Sequence, residues 1–372
     1  MIVIEHPLPG QIPGTRRSIT SWHFGRAGQG KKAYLQAGLH ADEWPPMLVA
    51  YYLRQQLAAL EAAGAITGEI VLAPMVNPIG LAQQFQGHAL GRFDLADGRN
   101  FNRGYPHLSS QVRARIEAEL GSDASANVAL VRATLREALA QEAVPSEAHA
   151  MKRWAMQQAV DADIVLDLHC DTEAVLHVYT GTPHAERGMI LARLMGAAAL
   201  IVASESGDHP FDESLARVWW ESAAHFAGRF PIPHACFAAT VELRGQADMT
   251  HALAQRDANQ LLRFLAHEGL LTLPAFELPS ALCVATALEA VEPLVATQSG
   301  LVVHLKELGD DVAAGEAVID LIDPLSDCTQ TLRATYGGVL FARATNRFVA
   351  TGTRLAKIAG TTAFRTGPLL SE

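Results

Sequence analysis

The sequence predicts an α/β fold, a mixed and largely parallel twisted sheet flanked by helices, followed by a small all-β domain. Three observations carry this. From about 32 to 265, short β-rich runs alternate with longer Ala- and Leu-rich stretches. The β-rich runs are continuously apolar rather than alternating, as strands covered on both faces are. After about 280 the pattern changes to Val- and Ile-rich runs punctuated by GD, AAGE, YGG and ATGT, the spacing of a compact β domain.

Taken in chain order, KAYLQAGL (32–39) reads as a buried strand and PPMLVAYYLRQQLAALEAAG (45–64) as the helix after it. Two prolines open that helix, where a missing N–H costs little. EIVLAPMV (69–76) is the next strand, and GRFDLADGRNFNRGYP (91–106) is a polar, Gly-rich loop. A helical insertion occupies about 108–160, broken at GSDAS and VPSE by residues that cap or interrupt helices. ADIVLDLH (162–169), ALIVAS (199–204) and FAATVEL (237–243) complete the strands of the first domain, expected at 1–275. LPAFELPS (273–280) reads as a linker, and a second domain is expected at 285–372.

The chain has 372 residues, 49% of them hydrophobic, enough to bury a large core. A formal charge of −10 and a pI near 5.8 leave no basic face, which excludes nucleic acid and anionic membrane as expected partners. A small molecule is the default partner, with self-association as a homo-oligomer left open. MIVIEHPLPGQIPG has neither the basic nor the long apolar region of a secretory signal, and no run of eighteen apolar residues follows; a cytoplasmic protein is expected. Cys170, Cys236, Cys283 and Cys328 form no CxxC pair, so a metal would be held by His and carboxylate.

GLHADEW (38–44) sets His40 and Glu43 at i and i+3, on one side of a helical turn if the helix begins directly after the strand. Both side chains could then reach one ion; alternatively, Asp42 and Glu43 only complement a helix N-terminus. A hydrolytic zinc site needs a third protein ligand. His169, at the end of ADIVLDLH, is the best candidate, because ligand groups gather at the carboxyl ends of strands in such sheets. Strand alternation puts Asp167 on the same face, where its carboxylate could orient a ligating imidazole. Glu242 ends FAATVEL, where burial must be compensated by a general-base role or by pairing with Arg244. In the 91–106 loop, Arg92, Asn102 and Arg103 could bind a carboxylate or steady an oxyanion; Arg99 reads as solvated. The segment SGDHPFDESLARVWWESAAHF (206–226) could line the pocket, although Trp219 and Trp220 are more often core packing than substrate contacts.

These motifs resemble the zinc carboxypeptidase superfamily and, within it, the succinylglutamate desuccinylase/aspartoacylase family. GLHADEW resembles the HxxE motif with its following tryptophan, VNPIG (76–80) the NP-x-G turn, NFNR the Asn-Arg pair, DLHCD the last histidine ligand, and VELRG the catalytic glutamate. The resemblance implies one Zn2+ on His40, Glu43 and His169, with Glu242 as base and then acid. It also implies that Arg92 polarises the scissile carbonyl, that Asn102 and Arg103 hold the substrate's carboxylate, and that Asp167 belongs to the DLH pattern. Aspartoacylases proper carry a tyrosine and an arginine shortly before the glutamate. FPIPHACFAATVEL offers neither, which argues against an aspartate- or succinyl-specific enzyme. Bacterial relatives of this kind often deacetylate N-acetylated diamino or other amino acids. The last 70 residues resemble a biotinyl/lipoyl-like barrel, but DPLSDCTQT has no lysine where a carrier would be modified, so no biotin or lipoate is expected.

The expected function is therefore a zinc-dependent amidohydrolase, a deacylase of an N-acyl amino acid or related small compound. A metallocarboxypeptidase acting on peptides or cell-wall fragments would need an open groove. A non-catalytic binding protein on the same scaffold would hold no stoichiometric metal.

Overall fold

The computed structural model of the chain describes residues 1–10, 13–367 and 369–370. Nine strands form the central sheet: β1 (Ile2–Pro7), β2 (Ser18–Gly25), β3 (Lys32–Ala37), β4 (Glu69–Ala73), β5 (Ile164–Asp171), β6 (His177–Gly181), β7 (Ala199–Ala203), β8 (Phe237–Gly245) and β9 (Ala285–Ala287). Their order is β1-β2-β4-β3-β5-β8-β6-β7-β9. The centre, β4-β3-β5-β8, is parallel, as is β6-β7-β9, while β1-β2, β2-β4 and β8-β6 are antiparallel. The mixed, largely parallel sheet expected from the sequence is present.

Continuous apolar runs make sense at the centre of such a sheet, because the central strands meet helices on both faces, whereas the edge strand β1 is exposed. Leu35, Ile164, Leu166, Leu168 and Val241 point to one layer, with α1 (Pro45–Ala62), α5 (Ala185–Met195) and α7 (His251–His267). Tyr34, Val165 and Ala238 point to the other, with α2 (Ser109–Ile116), α3 (Ala124–Gln141), α4 (Glu147–Ala159) and α6 (Phe211–His225). The helical insertion is thus α2 to α4, and it covers one face of the sheet. Asp123 and Ser146 cap α3 and α4 with side-chain oxygens, as the breaks at GSDAS and VPSE suggest. No helix among the described residues is long and apolar enough to cross a membrane.

The chain does not leave the large sheet at the linker. β9, at 285–287, pairs parallel with β7 before the small β region begins. That region holds β10 (Val291–Val295), β11 (Gly300–His304), β12 (Asp311–Val312), β13 (Ala317–Asp323), β14 (Cys328–Arg333), β15 (Gly338–Arg343), β16 (Phe348–Val349) and β17 (Arg354–Ala359). They make two antiparallel sheets, β10-β17-β15-β12 and β14-β13-β11-β16, around Val318, Leu321, Leu340, Leu355 and Ile358.

The small region is tied to the strand that carries His169. Just past β5, Glu173 and Ala174 pair with Arg343 and Ala342 of β15. Arg343 Nε donates to Glu173 at 2.6 Å, and Lys357 Nζ of β17 donates to Asp171 at 2.6 Å. Ala174, Ile201, Leu288, Val291 and Phe341 form the apolar part of the junction.

Candidate active site

The turn that presents His40 and Glu43 is held by its neighbours. β3 ends at Ala37, the chain reverses through His40 to Glu43, and Glu43 N–H donates to the His40 carbonyl at 3.2 Å. The expected helical placement of this pair is corrected here. Pro45 and Pro46 take the first two positions of α1, so the helix begins after the pair. Asn77, from VNPIG, donates to the Leu39 carbonyl and accepts from Gly80 N–H, each at 2.8 Å, pinning the residue before His40. The 91–106 loop lies directly on the turn: Ala41 N–H donates to the Gly91 carbonyl at 2.9 Å, and a Cβ on Gly91 would fall 2.3 Å from Asp42 N. Glycine at 91 is what lets Arg92 reach the site.

Sheet register supplies the other groups. His169 on β5 and Glu242 on β8 are direct neighbours in the parallel pairing. Glu43 spans the two imidazoles, with Oε1 2.8 Å from His40 Nδ1 and Oε2 2.8 Å from His169 Nδ1; Oε2 also accepts from Cys170 N–H at 3.0 Å. The far nitrogens are held as well. His40 Nε2 lies 2.8 Å from Asn100 Oδ1, and His169 Nε2 lies 2.9 Å from Asp167 Oδ2. Asp167 is buried and takes a further 3.0 Å bond from Gln36 Nε2.

With Nε2 donating in each ring, both Nδ1 lone pairs face one point. One donor atom from each of His40, Glu43 and His169 lies within 4.8 Å of the others, and all three residues are buried. Two imidazoles and a carboxylate, with space left for water, are a donor set that suits zinc. The electrostatics agree with a place for a cation. His40 is pushed down to about 4 by burial and then by Arg92. Burial also opposes charge on His169, but Asp167 and Glu43 outweigh it and hold its pKa well above the usual value.

Glu242 is pushed up to about 8, by burial first and by the Glu43 carboxylate second. Its Oε2 is buried without a hydrogen-bond partner among the described residues. Pairing with Arg244 is ruled out by the backbone: the strand bulges after Glu242, and Arg244, at φ +67°, turns to pair with Asp257. The Glu43 contribution to the shift falls once a cation neutralises that carboxylate, leaving Glu242 more readily ionised.

These groups open into a cavity of about 590 Å³. Arg92 lines it, with Nη1 3.2 Å from both Glu43 Oε1 and His40 Nδ1 and its side chain half-exposed. Asn102 is buried there; its Oδ1 accepts from Phe211 N–H at 2.9 Å, and its Nδ2 lies 3.4 Å from His169 Nε2. Arg103 also lines the cavity and donates to the carbonyls of Leu370 at 3.1 Å and Asn102 at 2.7 Å. Arg99 is exposed beside Asp97, as expected of a solvated loop residue. The two tryptophans divide: Trp219 is fully buried in the core, and Trp220 faces the cavity.

Sequence reasoning missed Asn100, two residues before Asn102 in the same motif, and the Arg354 and Lys357 cations of β17; the 206–226 segment that it offered as a pocket wall lines the cavity through Asp212, Ala216 and Trp220. The two cations line the cavity from a strand whose approach no local pattern announces. The missing tyrosine and arginine before Glu242 have no local substitutes, although Tyr179 and Arg354 reach the cavity from elsewhere.

No curated protein sequence matches this chain. Among solved structures, a succinylglutamate desuccinylase/aspartoacylase family protein from Shewanella amazonensis superposes with a TM-score of 0.82 at 25% identity, covering 96% of this chain and 98% of that one. A Shewanella frigidimarina protein of similar description gives 0.83 at 23% identity, covering 96% and 97%. The product-bound ectoine utilization protein EutE (DoeB) from Ruegeria pomeroyi gives 0.67 at 16% identity, covering 97% and 95%, a likeness of fold. The profile of the succinylglutamate desuccinylase/aspartoacylase catalytic domain matches residues 29–268, which include every residue from His40 to Glu242 placed above. The chain belongs to the succinylglutamate desuccinylase/aspartoacylase family.

Proposed function

We propose that this chain is a zinc-dependent amidohydrolase that removes the acyl group from an N-acyl amino acid or a related small N-acylated compound. The observation that carries the reading is the convergence of His40 Nδ1, the Glu43 carboxylate and His169 Nδ1 beside Glu242, with both far imidazole nitrogens already held. His40, Glu43 and His169 would hold one zinc ion. Zinc bound there would acidify water and polarise the scissile carbonyl. Glu242 takes the proton of the attacking water and returns it to the departing amine nitrogen. Arg92, whose half-exposed guanidinium already lies against the ligand group, steadies the charge that develops on the carbonyl oxygen. Asn102 and Arg103 form the wall at which the substrate's own carboxylate would dock.

The cavity's opposite wall comes from the small domain, through Val295, Gly352, Arg354 and Lys357. A pocket closed in this way favours a small amide over the peptides or cell-wall fragments of a metallocarboxypeptidase. We read the chain as a catalytic domain at 1–275 and a biotinyl/lipoyl-like barrel at 285–372. The β13–β14 turn, where a carrier would present its lysine, is Pro324–Asp327, so the barrel's role is to shield and shape the pocket.

The test is a hydrolysis screen of N-acetyl, N-succinyl and N-formyl amino acids with metal analysis of the same preparation. The reading expects about one zinc per chain and release of a free amino acid. Cleavage confined to the C-terminal residue of peptides would move the function to a carboxypeptidase. Absence of both metal and hydrolysis would leave a binding protein.

A further inference from the structure

The arginine assigned to the substrate's carboxylate is already engaged by a later stretch of the same chain. After β17 the chain turns back along the segment before β10, where Phe364 N–H and Arg365 N–H donate to the Glu289 carbonyl at 3.1 and 3.3 Å. Leu369 and Leu370 then reach the cavity and direct both of their N–H groups to one acceptor, the Ser206 carbonyl, each at 2.9 Å. Leu370 lines the cavity, and its own carbonyl accepts from Arg103 Nε at 3.1 Å.

The seat for this stretch is firm. Ser206 is buried, and its N–H and Oγ–H both donate to Glu213 Oε2, at 2.8 and 2.6 Å, while Glu213 pairs with Arg217 one turn further along α6. The carbonyl that receives the two leucines is therefore fixed to the first turn of a helix. What sits on that seat is held less firmly. Two amides share one carbonyl, and the leucines, only partly buried, pack against the junction cluster that includes Ile201, Leu288 and Phe341. A stretch tied down by so few contacts opens at the low end of the range of local unfolding energies.

The contact with Arg103 is of a kind that a substrate can replace. Leu370 offers the guanidinium a neutral carbonyl, whereas a carboxylate offers two charged oxygens, and hydrogen bonds to a charged acceptor are roughly twice as strong as neutral ones. The tether compensates in part, because it keeps the carbonyl beside Arg103 at an effective concentration on the order of millimolar. Carbonyl and carboxylate are thus rivals for one donor.

We infer that Leu369 and Leu370 form an internal competitor for the substrate's carboxylate: without ligand the Leu370 carbonyl occupies Arg103 Nε, and a substrate binds by displacing it. This rests on the placement of that carboxylate at Asn102 and Arg103 made above. Apparent affinity is then reduced by the fraction of molecules in which the stretch is already off its seat.

The test follows the stretch and the ligand separately. Hydrogen exchange at the 369 and 370 amides of the wild-type protein is measured with N-acetylalanine, N-acetylmethionine and N-acetylphenylalanine, and with the carboxamide of each, which lacks the carboxylate. We expect the acids to speed exchange at both amides by about threefold or more and the carboxamides to leave it unchanged. In the full-length double variant Leu369→Ser with Leu370→Ser, which removes the apolar anchor, calorimetry should show the acids binding about three- to tenfold more tightly than in wild type. Acids that slow exchange or leave it unchanged overturn the inference, whatever the variant does; so does a folded variant that binds them no better or more weakly, the behaviour of a wall or a closing strap. Neither readout needs turnover. Displacement by acids that are bound but never cleaved keeps the competitor and discards the hydrolase, and hydrolysis with unchanged exchange does the reverse.

Discussion

The two ends of the cavity differ in what surrounds their carboxylates: imidazoles at one, like charges at the other. At the end lined by His40, Glu43 and His169, each imidazole touches Glu43 with one nitrogen and Asn100 or Asp167 with the other, and Glu43 also takes a backbone N–H, while Glu242 Oε2 beside them has no hydrogen-bond partner among the described residues. At the α6 end, Asp212 accepts from the Thr240 hydroxyl and the Glu213 backbone N–H and faces two like charges, Asp167 and Glu213. A constellation tied together by such contacts is rigid and fixes the geometry of its members. Under the proposed function, the first set of groups carries the reaction.

The largest effect expected is at the metal end. Glu242→Gln keeps the shape of the side chain but cannot carry a proton between water and amine, so kcat should fall by about 10²–10⁴-fold while zinc content stays at wild-type level. Steady-state rates with metal analysis check this, and near-wild-type rates would remove Glu242 from the mechanism.

The α6 end should show its cost in stability. Asp212 binds its proton more tightly in the folded protein, at about 6 against an ordinary 3.8, so the stability it contributes is present below about 4 and lost as pH rises through about 6. Asp212→Asn should gain on wild type by about 2 kcal/mol between pH 4.5 and 7.5, read from paired thermal or denaturant melts. A difference that does not change with pH would mean that Asp212 already has its counter-charge.

Asn100→Ala acts at the metal end but one contact further out. It frees His40 Nε2 and with it the ring's tautomer and orientation, so zinc affinity should drop by about 10–100-fold with the fold intact. Competition against a chelating dye measures it. Arg99→Ala is the control for the same loop: an exposed side chain beside Asp97 should change stability by no more than about 0.5 kcal/mol and leave rates alone.

What could be read from the sequence follows the same division. His40, Glu43, His169 and Glu242 sit at the ends of apolar strands or just past them, so strand pattern and motif together located them. The alternation of Val165, Asp167 and His169 also brought Asp167 into the site. Asn100, by contrast, earns its place only because the loop folds onto the His40 turn, which depends on Gly91 and Asn77. Asp212 reads as an ordinary acid opening a helix until its burial is known. Lys357 lies 186 residues from Asp171 and meets it only because the small β region pairs with the extension of β5. The placement of HxxE on a helical turn went astray because two prolines mark where a helix starts, not whether the residues before them belong to it.

The most direct test of the metal-dependent chemistry is to strip the protein with a chelator, return zinc in steps, and follow hydrolysis of an N-acyl amino acid. Activity should vanish on stripping and return linearly to a plateau at one equivalent per chain. Hydrolysis that persists in stripped protein, or that does not return with zinc, would contradict a site built on His40, Glu43 and His169.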